Sequence, residues 1–333
     1  SKELINKFRL RDGRQPQTYG IGIKELWEVD PKKHREGTVI HTQGWPLKDT
    51  IGGGFIYHQE NNQVAVGFVT TLDYDNPYLS PYDEMQRFKT HPAIRPMLEG
   101  GRRIAYGARA INEGGLQSVP KLTFPGGCLI GCSAGFVNVP RIKGTHNAMK
   151  TAMLAAEQAV VALVEGRAND ELIDFELAYR KSWVYKDLRL VRNSRPALSK
   201  FGMILGTVYA GFDMWVNSFG LGFLLPWTFG HHEDHKQLKP ASSVPKIEYP
   251  KPDGQITFDK LTNVAFSATS HEEDQPIHLK LKDERVPVDI NLTLYDGLEK
   301  LFCPAGVYEY VDDEDKGVGK KRLQINAQNC VHC

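Results

Sequence analysis

The sequence lacks a charge excess of either sign: 41 Lys and Arg face 40 Asp and Glu. No global electrostatic pull toward nucleic acid follows, so any basic patch must be local. Cysteine is scarce, with five in 333 residues, an odd number, and Cys128 and Cys132 lie far in sequence from the other three. That is a poor pattern for a secreted disulfide framework and points to a reducing compartment. The N-terminal stretch "SKELINKFRLRDGRQPQTYG" has no apolar core of the kind that directs export, and it has no initiator Met. A chain that starts in mid-pattern and stops on a cysteine is expected to be a piece of a longer protein.

What is present is 41% hydrophobic residues, enough for about two domains of about 100–200 residues each. Residues 18–75 read as β-structure, with two β-rich runs either side of a polar turn at Glu60–Gln63 and glycines at the mouth of the hairpin. Ser80, Pro81, Asp83 and Glu84 form an N-cap, a first-position proline and an acidic first turn, which predicts a helix over 81–90. "TFPGGCLIGCSAGF" predicts a short buried strand running into a loop, and "THNAMKTAMLAAEQAVVALVEG" a helix ended by Gly166. A second, more charged helix is expected over 174–192. "HHEDHKQLKPASSVPKIEYPKPDG" reads as a mobile polar linker, with "HHEDH" at 231–235 a weak candidate metal binder; from Ile256 short strands alternate with turns. "DDEDK" at 312–316 reads as an exposed loop, and Cys128 and Cys132 as packing residues.

The tail carries the chemistry. Cys303, followed by Pro304, and the Cys330-x-x-Cys333 pair offer three soft thiolates. Zinc and iron–sulfur clusters both accept such ligands, but a lone Cys-Pro with a CxxC is closer to cluster-binding sequences than to paired zinc hooks. Three unrelated buried cysteines would be the bland alternative. His332, between two ligands, is expected to face outward, although histidine ligation stays open.

The blocks "LFCPAGVYEY", "LQINAQNCVHC", "GWPLKDTIGGGFIYH", "PYLSPYDEMQRFKTHPAIRPMLEGG" and "GCSAGFVNVPRIKGTHNAMK" closely resemble the electron transfer flavoprotein–ubiquinone oxidoreductase family over nearly the whole chain. The resemblance implies an α+β / α/β fold: a partial glutathione-reductase-like FAD domain with a β-rich quinone-binding domain, plus a C-terminal ferredoxin-like iron–sulfur domain. It divides the chain into 1–125, mainly quinone-binding; 126–200, the C-terminal part of the FAD domain; 201–241, membrane-surface segment and linker; and 242–333, an incomplete 4Fe–4S domain. It makes Cys303, Cys330 and Cys333 cluster ligands, with a fourth expected three residues beyond the end, and places the Tyr308 phenol against the cluster sulfurs.

The helix beginning near Thr145 would present an N-terminal partial positive charge to a bound anion such as reduced flavin. The resemblance sets Asn147 against the N1/O2 edge of the FAD ring. The glycine fingerprint for the FAD pyrophosphate is absent: "GIGIKE" at 20–25 has Glu25 where the third glycine belongs, so that fingerprint is expected upstream. Gly52 and Gly53 let a flat ligand approach the backbone, and the resemblance makes them hydrogen-bond partners of ubiquinone; a ligand-free bulge or turn is the simpler reading of the glycines alone.

Residues 201–229 are apolar and aromatic, yet five glycines and Asp213 argue against a span, since an acid near a helix centre costs about 2.5–3.5 kcal/mol on insertion scales. Arg180, Lys181, Lys186, Arg189, Arg192, Arg195 and Lys200 are opposed only by Asp187, which suits anionic headgroups. Together they describe a protein lying on one leaflet. The expected activity is electron transfer from reduced electron transfer flavoprotein through FAD and a 4Fe–4S cluster to ubiquinone, on the matrix face of the mitochondrial inner membrane or the cytoplasmic face of a bacterial membrane. A flavin-dependent monooxygenase or dehydrogenase without a cluster, or a zinc-binding interaction module, are the alternatives.

Overall fold

β-branched and aromatic residues recur through the first third of the chain, and there they form one five-stranded sheet. In this computed structural model, which describes residues 2–313, 317 and 319–333, the strands are β1 (Tyr19–Glu28), β2 (Val39–His41), β3 (Gly52–His58), β4 (Gln63–Thr71) and β5 (Arg102–Asn112), in the order β2-β3-β4-β1-β5. β3 and β4 pair antiparallel from Gly52↔Thr70 to His58↔Val64. Their turn places Asn61 and Asn62 both at φ 57, the left-handed pair that a tight hairpin requires and that asparagine tolerates.

The helix Pro81–Lys89 begins as its sequence dictates: Ser80 caps it, accepting from the Asp83 N–H. It lays Tyr82, Met85 and Phe88 against Trp27, Ile56, Val66 and Phe68 of the sheet. Each such side chain, taken fully from water, contributes about 1.5–3 kcal/mol. This sheet belongs to a unit made of Ile21–Ala110 and Gln237–Cys333; the other unit comprises Ser1–Gly20 and Ile111–Lys236.

In that second unit the expected buried strand is a minimal hairpin, β6 (Thr123–Phe124) with β7 (Gly127–Cys128), followed by a one-turn helix over Gly131–Ala134 rather than a loop. The helix Thr145–Val164 stops at Gly166, which takes φ 70. The single helix expected over 174–192 is two, Ile173–Lys181 and Trp183–Leu190. Ser182 breaks it: the residue is extended, and its hydroxyl donates to the Tyr179 carbonyl at 2.6 Å, competing with the helical ladder. A longer helix, Ser194–Ser218, is kinked at Gly202, whose φ is 74.

The expected alternation of strands from Ile256 is replaced mostly by turns and short helices, with one hairpin, β8 (Tyr308–Asp312) against β9 (Lys321–Ile325). Side chains do the hydrogen bonding there that strand partners would have done; Asp259, for instance, caps Lys260–Val264. Of the "DDEDK" stretch, Asp313 is buried rather than exposed, and residues 314–316 lie outside the described residues.

Candidate functional site

Cys303 ends the short helix Glu299–Phe302, where Pro304 keeps the helix from continuing. Only 6% exposed, it forms a small apolar cluster with Ala305 and Val307, edged by Tyr308, Cys330 and Val331. The Val307 N–H donates to Cys303 Sγ at 3.5 Å. The turn before Cys330 is tied to the same loop: Asn326 N–H donates to the Val307 carbonyl at 2.7 Å, and Asn329 Nδ2 to Gly306 at 3.2 Å. These bonds bring together residues about twenty positions apart in sequence.

Cys333 is an exposed residue, but partial desolvation of its sulfur, with Cys303 and Cys330 close by, pushes its thiol up to about 11. Burial and then the same three cysteines raise the Tyr308 phenol. All five cysteines are free thiols. A buried Cys303 with a main-chain N–H on its sulfur, a half-buried Cys330 packed beside it and an exposed Cys333 at the rim fit an iron–sulfur centre.

Sequence reasoning missed two neighbours. His332 is exposed, with φ 53, and its ring lies 5.0 Å from that of His271 and 4.9 Å from that of His278. Ligand atoms of His278, Cys330 and His332 lie within 4.8 Å of one another, a set that a single metal ion such as zinc could use. Nothing in the spacing of His271 and His278 signals this.

At the flavin-type motif, the helix starting at Thr145 has no side-chain cap at Gly144, so its first N–H groups remain for an anion. Asn147 is fully buried; its Nδ2 donates to the Phe136 carbonyl at 2.7 Å, and its Oδ1 has no partner among the described residues. Thr145 is exposed beside it. An open helix N-terminus with a buried, unpaired carboxamide oxygen fits a flavin.

Gly52 and Gly53 open β3. The Gly52 carbonyl accepts from the Gly44 N–H at 3.0 Å. A Cβ on Gly52 would stand 2.4 Å from the Val69 carbonyl oxygen, and one on Gly53 would stand 2.1 Å from that of Thr42. Close backbone packing alone therefore requires both glycines.

The helix Ser194–Ser218 is two-faced. Ile204, Leu205, Val208, Phe212, Trp215 and Phe219 are exposed, whereas Gly206, Ala210, Asp213 and Val216 are buried. Asp213 turns inward and accepts from Asn193 Nδ2 at 3.1 Å. No helix of the described residues is long and apolar enough to cross a membrane. The basic cluster is smaller than its sequence suggested. Arg192 is buried, donating to the Leu225 carbonyl at 2.8 Å and to Asn217 Oδ1 at 3.1 Å; Arg195 is buried 3.6 Å from Glu113. These two guanidiniums hold the fold rather than face solvent.

The "HHEDH" stretch is anchored, not a mobile linker. Asp234 accepts from the Thr18 hydroxyl and the Tyr19 N–H, each at 2.8 Å, and His231 Nε2 lies 2.6 Å from the Gly114 carbonyl. Cys128 is half-buried, but Cys132 is exposed and so is no packing residue.

Two family models match the chain. The ubiquinone-binding model of electron transfer flavoprotein–ubiquinone oxidoreductase covers residues 19–111, and its 4Fe–4S model covers 254–333. The chain is 56% identical over its whole length to the mitochondrial electron transfer flavoprotein–ubiquinone oxidoreductase of Bos taurus, covering 55% of that protein. It is 53% identical to the Pseudomonas aeruginosa enzyme of the same name, covering 60% of it. Among solved structures it is similar to a geranylgeranyl bacteriochlorophyll reductase-like protein from Thermoplasma acidophilum, with TM-score 0.43 and 15% identity over 63% of this chain and 47% of that one. The chain thus spans a little over half the length of the curated relatives it matches. With Cys303, Cys330 and Cys333 inside the 4Fe–4S match and a glycine-mouthed sheet inside the ubiquinone-binding match, the chain belongs to the electron transfer flavoprotein–ubiquinone oxidoreductase family.

Proposed function

We propose that this chain is part of a membrane-associated oxidoreductase that passes electrons from reduced electron transfer flavoprotein, through FAD and a 4Fe–4S cluster, to ubiquinone. The packing of Cys330 against the Cys303 cluster, with Cys333 three residues further on, carries the reading. Bound flavin and cluster supply the electron-accepting chemistry that side chains lack. The residues bind, orient and exclude water. Cys303, Cys330 and Cys333 would hold the cluster, and Tyr308, at the edge of the Cys303 cluster, would offer its phenol to the sulfurs.

Thr145 and the N-terminus of its helix face the FAD, with Asn147 against the ring edge. Gly52 and Gly53 offer main-chain groups to a ubiquinone carbonyl, although packing already accounts for both glycines. The functional parts are 1–125 for quinone, 126–200 for FAD in a glutathione-reductase-like arrangement, 201–241 for the membrane surface and 242–333 for the ferredoxin-like cluster domain. The apolar face of Ser194–Ser218, with exposed Lys181, Lys186, Arg189 and Lys200 nearby in sequence, supports docking on one leaflet. The membrane is the mitochondrial inner membrane on its matrix side, or a bacterial membrane on its cytoplasmic side.

Anaerobic purification of the full-length protein tests the reading. Iron and acid-labile sulfide should be present, sharply reduced by Cys303→Ser and unchanged by His332→Ala. Zinc without iron or sulfide would instead support the His278, Cys330 and His332 group as the metal site.

A further inference from the structure

β5 is the outer strand of the five-stranded sheet, so among the described residues one of its edges has no strand beside it. The C-terminal segment takes up that edge. The Tyr106 N–H donates to the Phe266 carbonyl at 3.0 Å, and the Ala110 N–H to the Cys333 carbonyl at 2.9 Å. Donors four residues apart lie on the same side of a strand, so both bonds come from one edge.

The Tyr106 side chain adds a third tie. It is 5% exposed, packs edge-on to Tyr82 at 6.2 Å, and donates its hydroxyl to the Pro304 carbonyl at 2.7 Å. Pro304 follows Cys303 directly. One strand thus anchors the Cys303 loop through a phenol and Cys333 through its main chain. Ring packing alone would be served by phenylalanine; the hydroxyl is there for the carbonyl, since each would otherwise be a buried polar group without a partner.

We propose that Tyr106 is a positioning residue for the iron–sulfur cluster: its bond to Pro304 fixes the Cys303 loop relative to Cys333, and so governs how firmly the cluster is held and at what potential it accepts electrons. The inference rests on the iron–sulfur reading above. It adds that the quinone-type sheet is part of the cluster's mounting.

The test uses the full-length protein with Tyr106→Phe, which keeps the ring, and Tyr74→Phe as a control that removes another buried phenol from the same core. In Tyr106→Phe, iron and sulfide should be lost to an aerobic chelator about 10-fold faster than in the wild type, the scale at which partners behind metal ligands act. The cluster's midpoint potential should shift as well, and Tyr74→Phe should change neither. Incorporating 3-fluorotyrosine at position 106, which retains the hydroxyl, should restore cluster retention. A wild-type loss rate, an unmoved potential, an equal effect from Tyr74→Phe or a failed rescue would each overturn the proposal. Wild-type protein without iron or sulfide would instead overturn the functional reading beneath it.

Discussion

Lys89 Nζ lies 2.8 Å from Glu25 Oε2, and neither side chain is exposed at all. Glu25 is further held by Trp27 Nε1 at 2.8 Å, Asn263 Nδ2 at 2.9 Å and Gln86 Nε2 at 3.2 Å. Burial alone would raise its carboxyl, but Lys89 and these bonds outweigh burial and hold it below the ordinary range. The pair ties β1 to the helix Pro81–Lys89 and to the segment carrying Asn263. Removing one partner leaves the other charge buried and unpaired, so Lys89→Met should cost about 3–5 kcal/mol in urea unfolding. The double variant Glu25→Gln/Lys89→Met, which removes both charges but keeps an acceptor for the Trp27, Asn263 and Gln86 donors, should recover part of that loss. Equal losses in both variants would show that the charge is not what matters.

Asp253 sets the acid limit of its loop. Despite some burial, three main-chain N–H groups, from Gln255, Ile256 and Thr257, and the Thr257 hydroxyl hold its carboxyl down to about 2. A depressed carboxylate contributes stability that is fully present above its unfolded value of about 4 and is lost as pH falls through its folded value. Between pH 4 and pH 2 the wild type should therefore lose stability that Asp253→Ala lacks throughout. Stability curves of the two proteins that stay parallel across this window would contradict the assignment.

The exposed face of Ser194–Ser218 predicts a clean separation of binding from folding. Phe212→Glu/Trp215→Glu changes two residues that are 53% and 60% exposed, so thermal stability should hold within about 0.5 kcal/mol. Flotation of the full-length protein on anionic vesicles should fall at least several-fold. Asp213→Ala should do the reverse, destabilising by about 1–3 kcal/mol because Asn193 Nδ2 loses one of its two buried acceptors and keeps only the Trp227 carbonyl, with flotation retained. Unchanged flotation of the double variant would remove this face from membrane docking.

Tyr308 lies close enough to Cys303, Cys330 and Cys333 for all three to raise its phenol. A hydroxyl donating to cluster sulfur favours the more negative, reduced state. Tyr308→Phe should lower the midpoint potential by on the order of 60 mV, the one-electron equivalent of a hydrogen bond of about 1.4 kcal/mol. Redox titration by electron paramagnetic resonance checks it, and an unmoved potential removes the phenol from the site.

Local signals were legible where the chemistry is local. The asparagine turn of β3 and β4, the Ser80 cap and the Gly166 stop all act within a few residues, and all stand where the sequence puts them. Ser182 escaped notice because a single hydroxyl turning back on a carbonyl leaves no periodic trace. The strands expected after Ile256 failed for a related reason: β-prone composition makes a strand only when a partner edge is within reach, and side-chain caps took that place.

By itself, the sequence determined the kind of ligand the tail offers, three soft thiolates with a Cys-Pro and a CxxC, and it determined the apolar character of 201–229. Only the tertiary structure decided which groups face one another. Glu25 reads in the sequence as an intruder in a glycine motif and is the centre of a buried ion pair; Arg192 and Arg195 read as headgroup ligands and are buried struts; Tyr106 carries no motif and reaches Pro304 across nearly two hundred residues. Burial and partnership are properties of distances between remote segments, and linear spacing encodes those only through the fold.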